Sequence, residues 1–255
     1  MRYAVTGTTG FLGANLVRCL LNDGHEVVAI IRKANALVEG LPIDIHKVPL
    51  VGDGDVVAGL APVLEGCDGV FHVAGLFDPG PGGAQRMHDV HVVATKNLCR
   101  ASVSVGVDRF VLCSSSITVG FGEMHSPGDE DTPYEADLIY GRSGALRAYH
   151  DTKLESERII LGQDAIEGVV VNPDFILGPW DVKPTSGQLI VTMAQRWVPF
   201  FPAGGKCFQS AHDCSRGHLL AMQKGLAGRR YLLGSHNHSY QDFMGMVAEV
   251  VGRRP

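Results

Sequence analysis

The chain alternates short apolar runs with longer amphipathic stretches over most of its length. Apolar runs that read as buried strands begin at residues 3, 26, 43, 69, 109 and 168. Between them, apolar residues recur at helical spacing, as in 11–21 and 84–105. Strands that alternate with helices form parallel sheets covered by helices on both faces. The pattern therefore predicts an α/β fold with a doubly wound parallel sheet.

The pattern changes beyond residue 175. Segment 198–205 is rich in Pro and Gly, and it lies between a helix predicted over 188–197 and a region of two further helices with a strand at 231–233. We therefore predict a first domain over 1–175 that contains the complete sheet, and a smaller, interleaved lobe over 176–255. The last helix, 240–251, carries one apolar stripe. Its members are Phe243, Met244, Val247, Val250 and Val251.

Three glycines spaced three apart follow the first strand. Gly7 would allow a sharp turn, Gly10 would allow the backbone to approach a pyrophosphate, and Gly13 would let the next helix close on the strand. The alternative is that these glycines serve tight packing alone. A helix N-terminus attracts anions, so the segment predicts a dinucleotide cradle in a Rossmann fold. The intervening residues Thr9, Phe11 and Leu12 would belong to the same site.

The end of the second strand bears on which dinucleotide binds. Arg32 and Lys33 occupy the region where NAD enzymes place an acid, and no Asp or Glu occurs over 30–38. A basic residue there suits the extra phosphate of NADP, although a merely solvated strand end has the same pattern. Asp53 either accepts from the adenine amino group or caps the following helix. Small residues after the fourth strand would let backbone lie against the ligand. They are Val73, Ala74 and Gly75.

Composition excludes several classes of protein. The 255 residues are 45% hydrophobic, and the net charge of -5 comes without a basic run, so neither nucleic acid nor membrane is an expected partner. With no visible leader and six scattered cysteines, the cytoplasm is the expected location. Four potential zinc ligands lie close together in sequence, but their spacing lacks a Cys-x-x-Cys knuckle, so we predict no metal site. They are Cys207, His212, Cys214 and His218.

Tyr149 and Lys153 are four residues apart on a predicted helix, so their side chains share one face. An ammonium group beside a phenol favours the phenolate, which makes the tyrosine a usable acid or base near neutral pH. A serine at the end of the fifth strand could hydrogen-bond the carbonyl that gains or loses hydride. A tyrosine and a lysine at this spacing occur by chance on many helices. Its position downstream of the glycine turn and of Ser114-Ser115-Ser116 favours catalysis.

Together these motifs resemble the extended short-chain dehydrogenase/reductase family, and within it the dihydroflavonol-reductase-like branch. Further matching segments are 66–74, 171–173, 178–179, 213–218 and 228–231. The resemblance implies a catalytic Ser115, with Ser116 as the neighbour that could be mistaken for it, beside Tyr149 and Lys153. It also implies that Arg32 reads the NADP(H) phosphate. Further implied cofactor contacts are Pro173, Phe175 and Ile176.

The chain departs from this family in two places. His91 stands where the family usually has Asn, which affects how protons would be relayed. The family also continues for some tens of residues beyond the segment like 247–253, so the resemblance implies a substrate lobe that is incomplete. Part of the 240–251 stripe, together with the mouth of the substrate cleft, is then expected to be exposed unless another chain covers it. We therefore expect either that the chain is part of a longer protein, which we favour, or that a homodimer contact covers this lobe.

The resulting functional prediction is an NADPH-dependent reductase of a small ketone or aldehyde, with a carbonyl compound or the corresponding alcohol as its partner. One alternative is an NAD-dependent epimerase or dehydratase of nucleotide sugars, which the basic Arg32 disfavours. A second is a dinucleotide-binding sensor without turnover, which the intact Ser115, Tyr149 and Lys153 disfavour.

Overall fold

The computed structural model describes residues 1–184, 186–196, 198 and 200–252. They contain a seven-stranded parallel sheet and a three-stranded mixed sheet. Its strands are β1 (Arg2–Thr6), β2 (Glu26–Ile31), β3 (Asp44–Lys47), β4 (Gly69–His72), β5 (Arg109–Cys113), β6 (Glu167–Pro173), β7 (Phe175–Leu177), β8 (Gly205–Ser210), β9 (Arg229–Leu233) and β10 (His236–Ser239). Its helices are α1 (Phe11–Asn22), α2 (Val56–Leu64), α3 (Gly83–His88), α4 (Ala94–Ser104), α5 (Ala136–Tyr140), α6 (Ala145–Leu161), α7 (Gln188–Gln195), α8 (Ala211–Lys224) and α9 (Tyr240–Val250).

The main sheet has the order β3-β2-β1-β4-β5-β6-β9, and every neighbouring pair is parallel. One apolar cluster packs α2, α4 and α6 on one face, through residues such as Leu60, Leu98 and Ile160. A second cluster packs α1 and α8 on the other face, through Leu16, Leu20 and Leu219. The predicted doubly wound parallel sheet is therefore confirmed. Strand order reverses between β1 and β4, which is where ligands bind in open α/β sheets.

Several predicted boundaries differ from the structure. β3 is shorter than the predicted 43–51. The helix predicted over 139–161 is two helices, because Gly141 and Gly144 adopt φ of +72° and +100°, a region that side chains other than glycine's rarely enter. Asp53 does not cap α2. That role belongs to Asp55, whose carboxylate accepts from the backbone N–H of Ala58 at 3.0 Å.

The long helix predicted over 84–105 is continuous but not uniform. Its middle section, Asp89–Val93, is a π turn that joins α3 to α4. A π turn inserts an extra residue per turn and changes the direction of the side chains that follow. Its central residue, His91, points into the protein interior and is 2% exposed.

The prediction that residues 1–175 hold the complete sheet is wrong. β9 is the seventh strand of that sheet, paired with β6 from Val169↔Arg229 to Pro173↔Leu233. α8 likewise packs on the main sheet and against α1. Pairing between parallel strands is non-local, so the position of β9 along the chain did not indicate its place in the sheet.

The smaller lobe consists of β7, β8, β10, α7 and α9 around its own apolar cluster. Phe243, Met244 and Val247 of α9 are buried in that cluster, Val251 is half-buried and Val250 is exposed, so only part of the predicted stripe is exposed. A helix was predicted over 188–197, and α7 occupies most of that range. Residue 197 itself lies outside the described residues. Within 1–184, 186–196, 198 and 200–252, no helix has the length and apolarity needed to cross a bilayer.

Candidate active site

A cleft of about 1210 Å³ lies at the carboxyl edge of the main sheet, around the point where strand order reverses. Its floor includes the glycine turn after β1, and its walls come from the ends of β2, β4, β5 and β6. Helix α6 contributes Tyr149 and Lys153 at one end, and the β2 end contributes Arg32 at the other. We call this the dinucleotide cleft.

The glycine turn fits a pyrophosphate. Gly7 has φ of +74°, and a Cβ added to Gly13 would lie 2.1 Å from the Gly7 carbonyl oxygen, so α1 begins directly against the turn. Gly10 is the N-cap of α1 and has no side chain to accept from the first-turn N–H groups. These N–H donors and the positive end of the helix dipole face the cleft, where a bound anion would accept their hydrogen bonds. The residues present therefore fit the phosphates of a dinucleotide.

The end of β2 presents basic side chains to the cleft. Arg32 and Lys33 are exposed and line it, whereas Asn35 is used structurally: its amide donates to the Thr9 carbonyl at 3.0 Å and its oxygen accepts from Leu37 N–H at 3.1 Å. Within the described residues, neither Arg32 nor Lys33 forms an ion pair. Both cations are thus free to meet an anionic ligand.

Lys153 and Tyr149 occupy the opposite end of the cleft. Lys153 is 4% exposed, and its ammonium donates to the Cys113 carbonyl at 2.9 Å, which fixes it at the end of β5. Its Nζ lies 6.0 Å from the centre of the Tyr149 ring. That ring makes edge contacts with Phe77 and His91, with centroid distances of 5.6 and 5.4 Å. The spacing of four residues on α6 accordingly places a phenol beside a buried cation.

The serine segment after β5 is fixed by a buried carboxylate. Glu157 is 1% exposed and accepts hydrogen bonds from Ser114 and Thr118. Ser114 directly precedes Ser115, and Thr118 follows it by three residues. Asn172 donates to Glu157 at 2.7 Å and to the Ser115 carbonyl at 3.1 Å. Arg230 of β9 pairs with the other carboxylate oxygen at 3.4 Å. One acid therefore ties β5, β6, α6 and β9 together beneath Ser115.

A second cleft, of about 1240 Å³, adjoins the first and opens toward the smaller lobe. We call it the substrate cleft. Large apolar side chains form much of its wall. They include Phe77, Ile117, Val119, Phe121, Met124, Ile139, Leu146 and Phe175. Ser115 and Tyr149 line both clefts, whereas Ser116 lines only the substrate cleft.

Most of the predicted cofactor residues come together in the dinucleotide cleft. They are Gly7, Thr9, Gly10, Phe11, Leu12, Gly13, Arg32, Lys33, Val73, Ala74, Gly75, Tyr149, Lys153, Pro173 and Ile176. Two do not. Asp53 is exposed and outside the cleft, where Leu50 and Val51 form the wall instead. Phe175 lines the substrate cleft and packs on Phe208 and Phe243 of the lobe core.

The sequence reasoning missed several residues that shape the site, above all Glu157, Thr152 and Asn172. A signal for Glu157 was present, because it lies four residues after Lys153 on the same helix face as Tyr149 and Lys153. Asn172 carried no comparable signal. Its contacts cross from β6 to α6 and become visible only in three dimensions.

Cys214 and His218 of α8 are buried and pack in the protein interior. The buried imidazole of His218 bonds the Cys214 carbonyl at 2.8 Å, while His212 is exposed on the same helix. Burial lowers the pKa of His218 to about 4 and raises that of the Cys214 thiol. In the described part of the chain, no group of three or more His, Cys, Asp or Glu side chains is arranged to hold a metal ion.

Comparison with known sequences identifies relatives over almost the whole chain. The model of the NAD dependent epimerase/dehydratase family matches residues 3–234. A Synechocystis protein named as a candidate dihydroflavonol 4-reductase is 33% identical over 259 residues, covering 98% of this chain and 72% of that protein. Sterol demethylase protein B of Methylococcus capsulatus is also 33% identical, over 257 residues that cover 99% of this chain and 75% of that one.

Solved structures show the same architecture. MoeE5 in complex with UDP-glucose and NAD superposes with a TM-score of 0.76 at 27% identity. The match covers 100% of this chain and 83% of MoeE5. Similarity in fold and sequence thus extends from the sheet through the smaller lobe.

Proposed function

The chain belongs to the NAD-dependent epimerase/dehydratase family of the extended short-chain dehydrogenases/reductases, and we propose that it is an NADPH-dependent reductase of a small, uncharged ketone or aldehyde. The observation that carries this proposal is the position of Ser115 and Tyr149, which line both clefts. A carbonyl group at that junction would meet a hydroxyl and a phenol on one side and the dinucleotide cleft on the other.

The residues at the junction have complementary roles in this reaction. A bound nicotinamide nucleotide supplies hydride to the carbonyl carbon. Tyr149 donates its phenolic proton to the carbonyl oxygen, and the Lys153 ammonium stabilises the phenolate that remains. Ser115 donates a hydrogen bond to the same oxygen as negative charge develops on it. The Cys113 carbonyl holds Lys153 in place for this task.

The charges of the substrate cleft favour an uncharged substrate over a nucleotide sugar. Among its described lining residues, the ionisable acids and bases apart from tyrosine and cysteine are Glu123, Asp174 and Lys206. Lys206 is paired with Asp174 at 3.2 Å. A sugar diphosphate would therefore enter a cleft with two acids and no unpaired cation, which costs free energy because buried anions need paired partners. An apolar ketone meets no such penalty.

A substrate screen tests the proposal directly. Aromatic, alicyclic and aliphatic ketones and aldehydes are mixed with NADPH and the protein, and NADPH oxidation is followed by absorbance. We expect turnover of at least one apolar class. A parallel reaction with UDP-glucose and NAD, analysed for epimerised or dehydrated sugar, should show none. Conversion of the nucleotide sugar without carbonyl reduction would contradict the proposal.

Arg32→Ala should weaken NADPH binding about tenfold to a hundredfold, because one charge-assisted contact to the extra phosphate contributes about 1.5–3 kcal/mol. NADH binding should change little. Fluorescence titration of both cofactors gives the two dissociation constants. Arg100→Ala, at an exposed arginine on α4 outside the cleft, is the control and should bind like the parent. A parent protein that prefers NADH would refute the assignment.

Ser115→Ala should lower kcat about 10- to 100-fold, since it removes a hydrogen bond to an oxygen that gains negative charge. Ser116→Ala should stay within about threefold of the parent, because Ser116 does not reach the dinucleotide cleft. Steady-state kinetics with the best ketone of the screen compares them. If Ser116→Ala is the more damaging substitution, the catalytic serine has been assigned one residue too early.

A further inference from the structure

The imidazole of His91 forms a closed set of hydrogen bonds behind Tyr149. Its Nε2 lies 3.0 Å from the backbone nitrogen of Leu76, whose N–H can only donate. Nε2 is therefore unprotonated, and the ring proton resides on Nδ1. That nitrogen lies 2.9 Å from the Thr152 hydroxyl, which passes its own hydrogen to the Ala148 carbonyl at 2.8 Å. This assignment satisfies every donor and acceptor of the ring.

The ring connects three elements that form the junction of the clefts. Through Leu76 it holds the segment after β4, whose next residue, Phe77, lines the substrate cleft. Through Thr152 it holds α6. It also makes an edge contact with Tyr149, at 76° between ring planes, and Phe77 makes a second edge contact with the same phenol. The π turn places His91 at this depth, because it redirects the helix at that residue.

Ionisation of His91 is opposed by its surroundings. Burial first, then the positive charge of Lys153 and the neighbouring His72, lower the pKa of His91 to about 2. Burial and Lys153 also lower the pKa of His72 to about 3. Asp89, the acid of the same π turn, is hydrogen-bonded to Gln85 at 2.8 Å. These surroundings, together with the hydrogen bond that Nε2 accepts from Leu76 N–H, favour the neutral imidazole.

We propose that His91 is a positioning residue: as a neutral imidazole with both nitrogens engaged, it fixes Tyr149 and the Leu76–Phe77 segment and carries no proton to or from the reaction. The role of Tyr149 in this inference rests on the proposed reductase function. The hydrogen bonding and ionisation of His91 do not depend on that function.

Long-range ¹H–¹⁵N correlation spectra of the labelled protein test the ionisation without any turnover. His91→Asn removes one imidazole signal set and so assigns it. We expect those signals to report the Nδ1–H form and to remain unchanged from pH 5 to pH 9. A midpoint within that range, or the Nε2–H form, would overturn the inference even if the protein proves to be a reductase.

Kinetics separates positioning from proton transfer. An asparagine side chain at this position ends at the level of Nδ1, so it keeps a donor for Thr152 but not the full reach to Leu76. His91→Asn should therefore keep kcat within about fivefold of the parent, with the same pH profile. His91→Leu provides neither contact and should lose about 10- to 100-fold in kcat, as expected when two buried groups lose their partners. His88→Leu, one turn earlier on the helix, is the control. A changed pH profile in His91→Asn would show that His91 carries protons. If no carbonyl compound is reduced at all, the reductase proposal fails, and the spectra alone decide the state of His91.

Discussion

Tyr149→Phe is expected to lower kcat about 10²- to 10⁴-fold while the protein still binds NADPH. The substitution removes only the phenolic oxygen, and a positioned acid or base contributes a factor of this size. The phenyl ring keeps its edge contacts with Phe77 and His91, so the helix and both clefts should be preserved. Single-turnover measurement of NADPH oxidation, combined with a fluorescence titration of NADPH, separates chemistry from binding.

The matched control is Tyr140→Phe in the same substrate cleft. Burial, reinforced by the neighbouring Tyr134 and by the negative charge of Asp174, raises the pKa of Tyr140 to about 12, so this phenol stays protonated. Its hydroxyl donates to the Ile117 carbonyl at 3.0 Å and serves the cleft wall. Tyr140→Phe should lose less than about tenfold in kcat. Comparable losses in the two variants would mean that Tyr149 is not the proton donor.

Glu157→Leu is expected to destabilise the fold by about 3–5 kcal/mol, the usual cost when one partner of a buried charged network is removed. Ser114, Thr118 and Asn172 would lose their shared acceptor, and each unsatisfied donor adds to that cost. Urea unfolding monitored by circular dichroism gives the change in the free energy of unfolding.

Glu155→Leu provides the comparison for this variant. It lies two residues earlier on α6, and its carboxylate pairs with Lys96 at 3.2 Å where both side chains are 44% exposed. Exposed pairs contribute little, so the change should be below about 1 kcal/mol. Equal destabilisation by the two substitutions would show that helix propensity, and not the buried network, determines the loss. Glu157→Gln, which keeps one acceptor oxygen, should fall between them.

Local chemistry explains why the cofactor end of the fold was predictable. A strand that runs into Gly7, Gly10 and Gly13 indicates a turn that residues with side chains could not form, and the structure shows the close backbone approach that those glycines permit. Tyr149 and Lys153 were also recognisable because helical geometry alone places them on one face. Both features depend on contacts between residues close in sequence.

Features that depend on distant contacts were not predictable in the same way. β9 joins the sheet beside β6, more than fifty residues earlier in the chain, and nothing in its own composition distinguishes it from a strand of the lobe. The role of Glu157 likewise depends on β5, β6 and β9 meeting around it. The prediction that Asp53 caps the following helix was wrong by only two residues. The N-cap of α2 is Asp55, and Asp53 is exposed to solvent.

The route of the chain between its two sheets determines how chimaeras of this protein can be made. After β6 the chain enters the lobe through β7, α7 and β8, returns to the main sheet through α8 and β9, and leaves again for β10 and α9. A single crossover near residue 175 would exchange the seventh strand together with the lobe and place a strand from the other parent beside the native β6. Transplanting a new specificity therefore requires two inserts, 175–210 and 236–250, around a retained α8–β9 segment. Libraries recombined at one junction should consequently yield few folded members, and those recombined at both junctions should yield many more.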